Sequence, residues 1–191
     1  MQSARQSSNV ALSWQIDQAL AQRCVYYWCS QPAQPCPAAD CQPYDYGAAA
    51  TEFRNGLAVS ESAELLLNLG VAVEHAGHLD EARRCYERVI TIAPTDSRPH
   101  ANLGALAAKR GALDESVACH RKAVELNPDD PWLSFNLGDA LEDAGDDESA
   151  MEAYEASVQL PCAKNNLAGL LEKSGDYDRA EALYAECCTQ S

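Results

Sequence analysis

"NLGVAVEHAGHLDEARRCYERVITIAP" runs from Asn68 to Pro94, and "NLGALAAKRGALDESVACHRKAVELNP" runs from Asn102 to Pro128. The second is an edited copy of the first, set 34 residues further along the chain. Asn136-Leu137-Gly138 opens a third copy at the same interval, and Asn166-Leu167-Ala168 opens a fourth after 30 residues. A glycine follows each opening at a fixed distance: Gly77, Gly111, Gly145 and Gly175. Then come Ala82, Ser116, Ala150 and Ala180, and after them Tyr86, His120, Tyr154 and Tyr184. Pro94 and Pro128 close the first two copies, and Pro161 stands where the third ends.

Within a copy, apolar residues recur at helical spacing; Leu66, Leu69 and Val73 fall at i, i+3 and i+7. Strand-like alternation is absent. The central glycine suits a left-handed helix stop, and the acidic residues after it suit a helix start. Each copy therefore reads as two antiparallel helices joined by a tight turn. The small residue at Gly70, Gly104, Gly138 or Ala168 lets the second helix cross closely, with Ala82, Ser116, Ala150 and Ala180 expected on the other side. Proline is expected to end the second helix.

This pattern resembles the tetratricopeptide repeat, a helix–turn–helix unit of 34 residues. The resemblance covers about residues 62–188 and implies an all-α fold, a solenoid of antiparallel helix hairpins wound as a right-handed superhelix. The expected repeats are 63–96, 97–130, 131–162 and 163–191. Leu66, His100 and Ser134 stand where the family usually has a large aromatic, and His120 replaces another. Four residues missing near Pro161 are expected to shorten the linker or the following first helix.

Residues 1–61 read as an irregular leading hairpin. "YDYGAAATEFRNGL" (Tyr44–Leu57) matches "GDYDRAEALYAECC" (Gly175–Cys188), so it resembles the second helix of a degenerate repeat. Its partner would lie in residues 9–29, where Leu12, Ile16 and Leu20 make a stripe, with a Cys- and Pro-rich loop over 30–43 between them. A helix pair cannot bury both faces alone, so stacking supplies the core. Tyr184, Cys187 and Cys188 of the last helix face no further repeat before Ser191. Two expectations follow: a second protomer or partner covers that edge, or the helix end frays.

The formal charge is −15 and unevenly spread. Residues 1–128 carry 11 basic and 14 acidic side chains, and residues 129–191 carry 3 and 15. Such a surface repels phosphate and argues against a nucleic-acid partner; it serves solubility or a basic partner segment. No apolar stretch reaches the ~20 residues of a membrane span, so membrane insertion is not expected. Residues 1–15 lack the apolar run of a secretory signal, and no acid precedes Asp17. With most cysteines scattered through helical patterns, a cytoplasmic, reducing location is expected, with an organelle lumen or matrix as the alternative.

The resemblance implies a scaffold whose first helices line a concave groove for a partner peptide or helix. Asn68, Asn102, Asn136 and Asn166 share one register along it, and an amide both donates to and accepts from a peptide unit. With helices ~8–10 Å apart and extended chain advancing ~3.3 Å per residue, one Asn meets about every third ligand residue. Asparagine is also common at this register whatever the array binds. His75, Arg98, Lys109, Trp132, Phe135, Asp139 and Asp143 lie nearby on much the same face. Arg98, Asn102 and Lys109 make part of a carboxylate clamp, but Phe135, Asp139 and Asp143 oppose one. A guest with basic and apolar residues fits better, its apolar part meeting Trp132 and Phe135; Trp132 alternatively only packs at a helix start.

Cys24, Cys29, Cys36 and Cys41 form a C-x4-C-x6-C-x4-C cluster open to three states: a zinc site, two disulfides such as Cys24–Cys41 with Cys29–Cys36, or free thiols. Residues five apart lie about 140° around a helix, so a single ion requires the helix to end before Cys29. No cofactor other than such a zinc is expected. Walker-type G-x4-G-K-[ST], H-E-x-x-H and G-x-S-x-G are all missing from the sequence, so an enzyme is not expected. The chain reads as an interaction adaptor, with a cysteine-regulated module or a fixed subunit of a larger assembly as alternatives.

Overall fold

The computed structural model describes residues 45–189, and these are helical with no strand among them. The partner expected over residues 9–29, the 30–43 loop and the four clustered cysteines lie outside the described residues. A leading helix α1 (Tyr46–Val59) precedes four hairpins: α2 (Ala63–His75) with α3 (Leu79–Ile92), α4 (Arg98–Lys109) with α5 (Leu113–Leu126), α6 (Pro131–Asp143) with α7 (Asp147–Ala156), and α8 (Pro161–Ser174) with α9 (Tyr177–Thr189). Each helix packs on the one before it, and α4 also touches α6. The result is the expected all-α hairpin solenoid.

The turns follow from backbone chemistry. Gly77, Gly111, Gly145 and Gly175 hold φ between 74° and 90°, where a side chain would be strained. The amides that follow reach back to the preceding helix, His78 to Val73 O at 2.8 Å and Asp146 to Leu141 O at 2.9 Å. This closes the open carbonyls of the helix end. Asp146 and Asp176 then cap the next helices by accepting from the Ser149 and Arg179 amides at 3.2 and 3.3 Å. Where no such cap exists, Asp80 and Glu81 in α3 and Asp114 and Glu115 in α5 occupy the first turn, near the positive end of the helix dipole.

Two expectations need correction. Ala82, Ser116 and Ala150 are fully buried, as a close crossing demands. Yet the group filling the space left by each opening glycine is the ring further along the second helix. A Cβ at Gly138 would lie 2.5 Å from the Tyr154 ring, one at Gly104 would lie 2.6 Å from His120, and one at Gly70 would strike Tyr86 in the same way. The ring reaches further from its helix than a methyl group does, so it decides the fit. Pro161 does not close the third repeat. It opens α8, where its missing N–H costs nothing. The four missing residues are taken from α7, which has 10 residues against 14 in α3 and in α5. An open cleft of about 280 Å³ results beside Val158, between α7, α8 and α9, lined also by Glu155, Leu167, Arg179 and Leu183.

The apolar interior falls into two clusters. One gathers Ala50 of α1 with Leu66, Leu67, Leu69, Ala72 and Val73 of α2 and Ala82, Tyr86 and Val89 of α3, and reaches only Leu103 of α4. The other gathers Phe135, Leu141, Ala150, Tyr154, Leu167, Leu171 and Ala180 of α6–α9, and reaches only Val117 of α5. Between them the second hairpin buries Leu106 and Pro99 with small residues such as Ala107 and Ala123, and the polar Ser116 and His120.

Gly70→Ala or Gly138→Ala is expected to destabilise the array by about 1–3 kcal/mol, the usual cost of overpacking. Gly169→Ala has nothing within 4 Å of the added carbon and is expected to be neutral or to stabilise by up to ~1 kcal/mol through helix propensity. Urea unfolding of the three variants beside wild type measures both.

Candidate partner-binding face

The four opening asparagines are partly buried, and the structure gives them internal work. Asn166 Nδ2 donates to Asp139 Oδ1 at 3.1 Å and to the Tyr154 hydroxyl at 3.3 Å. The Asn102 amide sits against the Tyr86 hydroxyl in the same manner. Each of these two asparagines therefore reads the tyrosine of the preceding repeat, so part of its hydrogen-bonding capacity is spent within the array.

Those tyrosines form a feature that the sequence reading passed over. The Tyr86 and Tyr154 rings fill glycine gaps, Tyr184 has Ala168 in that place, and all three hydroxyls meet carboxylates of the first helices. There Tyr86 donates to Glu74 Oε2 at 2.7 Å, and Tyr184 donates to Glu172 Oε2 at 3.2 Å. Tyr154 lies 2.8 Å from Glu142 Oε2 and 2.7 Å from Asp139 Oδ1. One hydroxyl has one proton, so it serves these two carboxylates by turns. Burial pushes the Tyr86 and Tyr154 phenols well above the usual tyrosine range, with the adjoining carboxylates adding to the effect. Burial likewise raises Asp139, against the hydrogen bonds from Tyr154 and Asn166. The signal was present in the sequence as Glu-x11-Tyr, at Glu74–Tyr86, Glu142–Tyr154 and Glu172–Tyr184. The second repeat has Ala108 and His120 at these two places and lacks the bond. His120 is 5 % exposed with no hydrogen-bond partner for its Nδ1, and burial pushes its imidazole down to about 4.

The two cations expected to meet a guest are already engaged. Lys109 Nζ pairs with Glu74 Oε1 at 2.5 Å, so Lys109, Glu74 and Tyr86 join α4, α2 and α3. Arg98 pairs with Asp96 at 2.8 Å and with Glu64 at 3.0 Å, which holds its guanidinium above the usual range. A carboxylate clamp is therefore closed from within. His75 stacks on Tyr46 of α1, centroids 4.6 Å apart and planes 16° apart, and partial burial lowers its pKa. Further along, Trp132 meets Phe135 edge-on at 5.9 Å, and Phe135 leans on Tyr154 at the same distance. Phe135 is 8 % exposed and belongs to the core, so it backs the face and hardly lines it. Trp132 is half-buried and packs on that core. Asp139, Glu142 and Asp143 stand in no ion pair among the described residues; Lys173, which shares their face by spacing, pairs with Asp147 instead.

Among the described residues no group of three His, Cys, Asp or Glu side chains is arranged to hold a metal. Cys85 and Cys119 are free thiols, and burial pushes Cys85 up to about 11, which makes it a poor nucleophile. No helix among the described residues is long and apolar enough to cross a membrane.

Stacked hairpins with a ring-in-glycine crossing, and one face formed by the first helices, define a helical-repeat scaffold. Family models for the tetratricopeptide repeat match residues 63–96, 133–161 and 163–189, and one described as a TPR repeat matches 108–145. The chain belongs to the tetratricopeptide-repeat family. It is similar in fold to a crystal structure of MamA, with 19 % identity and a TM-score of 0.68 over 76 % of this chain and 88 % of that one. MamA from Desulfovibrio magneticus RS-1, residues 41 to the end, matches over 92 % of this chain and 93 % of that one, with 16 % identity and a TM-score of 0.66. No curated protein matches the sequence. The repeats support a protein-interaction scaffold in general terms, and these neighbours show the fold.

His120 supplies a test of the packing. Its folded pKa of about 4 lies below the ~6.5 of an unfolded histidine. The unfolded chain therefore binds the proton first. The stabilisation is complete above pH ~6.5 and is lost as pH falls towards 4, by roughly 3 kcal/mol in full. The unfolding free energy of wild type minus that of His120→Phe is expected to fall by roughly 3 kcal/mol between pH 7 and pH 4; parallel curves would show that the imidazole is not held neutral.

Proposed function

We propose that this protein is an interaction adaptor, without chemistry of its own, that holds a partner peptide or helix along the exposed side of α2, α4, α6 and α8. The partner carries basic side chains beside apolar ones. The observation that carries this reading is the inequality of charge along the face. Glu64 and Glu74 are neutralised by the chain's own Arg98 and Lys109. Asp139, Glu142 and Asp143 have only hydroxyl, amide or solvent partners, since no ion pair reaches them among the described residues. A cation brought by a guest finds its complement at the third repeat, next to the half-buried Trp132, and an acidic guest finds no vacant cation at the first two. Opposed charges of this kind direct encounter and register more than they add affinity. Asn68 and Asn136 remain candidates for backbone recognition; Asn102 and Asn166 would serve a guest while bonded to the tyrosines.

The test is a polarisation titration of short dye-labelled peptides in which Lys and Leu are combined, beside the same peptides with Lys replaced by Glu. The basic set is expected to bind and the acidic set to fail. Asp143→Lys is exposed and touches no core residue; it is expected to weaken the basic set roughly tenfold, about 1.4 kcal/mol for one interfacial charge. Equal binding of both sets, or no change with Asp143→Lys, would overturn the charge reading. Undiminished binding by an Asn68/Asn102/Asn136→Ala triple variant would remove the asparagine row from the groove.

A further inference from the structure

The second hairpin differs from the other three in four ways that coincide in space. It lacks the Glu-x11-Tyr bond that pins the two helices of every other hairpin, having Ala108 and His120 in those positions. Of the three buried side-chain polar atoms without partners among the described residues, two, Ser116 Oγ and His120 Nδ1, lie on α5, and the third is Asp147 Oδ1 at the start of α7. The apolar interior divides here, with α4 joined to the first cluster through Leu103 and α5 to the second through Val117. Ion pairs tie this hairpin backward, Arg83 to Glu115, Lys109 to Glu74 and Arg110 to Asp80, whereas none joins it forward to the third repeat among the described residues.

Each observation acts on the same step. An unmade hydrogen bond inside a protein forfeits the full desolvation cost of its atom. Apart from Leu106 and Pro99, the buried apolar side chains of this hairpin are small, and residues such as Ala107 and Ala123 make fewer contacts than the rings and leucines of the flanking clusters. In a linear array, stability is a sum of repeat and neighbour contributions, so opening starts where that sum is least.

We infer that the α4–α5 hairpin is a soft joint in the array: the α1–α3 and α6–α9 segments open independently of each other, and the angle between them is set at this hairpin. Its value to a scaffold is mechanical. The paired-charge half of the face and the unpaired-charge half can change their mutual angle while each keeps its own core, so guests of different thickness can be accommodated.

Hydrogen exchange followed by mass spectrometry on the full chain tests this. In wild type, amides of α4 and α5, corrected for intrinsic rates, are expected to exchange at least tenfold faster than those of α2, α3, α6 and α7. Val89→Ala, in the first cluster, is expected to speed exchange in α1–α3 and leave α6–α9 within twofold. Combining Ala108→Glu with His120→Tyr installs the missing bond and is expected to slow α4–α5 exchange about tenfold. Equal protection of all four hairpins in wild type would overturn the joint, and so would a Val89→Ala effect spread evenly to α9. Should the double variant fail to fold, those two measurements still decide.

Discussion

The contact on which the rest of the structure depends is a ring set into the gap left by a glycine. Where Gly70 meets Tyr86 and Gly138 meets Tyr154, the first helix gives up a side chain so that the second can place an aromatic against its backbone. Both tyrosines are fully buried. An aromatic of that kind removes 150–250 Å² from water, several kcal/mol at ~25 cal/mol per Å². An exposed ion pair contributes about 0–1 kcal/mol, well short of that. The same side chain then performs a second task, since its hydroxyl passes through the crossing and fixes a carboxylate on the far side. Packing and the chemistry of the exposed face are therefore coupled through Tyr86 in the first repeat and Tyr154 in the third.

That coupling explains why the face is electrostatically uneven. The exposed ion pairs, such as Arg54–Glu81 and Arg179–Glu155, contribute little to stability one by one. Where the chain supplies its own Lys109 and Arg98 the face carries neutral pairs; at Asp139, Glu142 and Asp143 it carries carboxylates with no ion pair among the described residues. The excess of acid after residue 129 is thus not only a solvated surface, because part of it is aimed by Tyr154 and Asn166 into fixed positions.

Much of the fold was legible because it rests on local chemistry that recurs. The 34-residue spacing, the turn glycines at positive φ and the small residues at the crossing each mean one thing in a helical hairpin, and the structure places them so. What escaped the sequence reading depended on reach and direction. Ala82 and Tyr86 lie one turn apart, and only coordinates show that the longer one meets the glycine. Pro161 can end one helix or begin another, and the choice turned on which helix gave up four residues. Lys109 is engaged by Glu74, more than thirty residues away, which spacing within one repeat does not reveal; Arg98 is held both by Asp96 two residues before it and by the distant Glu64. Phe135 was read as lining the groove because spacing assigns a side of the helix but not a depth; packing on Tyr154 takes it into the core.

The shortened α7 gives the array a sense of direction. From Asn68 through Asn102 to Asn136 the treads of the staircase are equal in sequence, and the next tread, to Asn166, is shorter by four residues. On a staircase with identical steps a climber can stand one step up or down without noticing. An uneven step removes that freedom, because only one placement matches long treads to one end and the short tread to the other. The loss of a helical turn from α7 therefore joins the uneven charge along the face in telling one end of the array from the other.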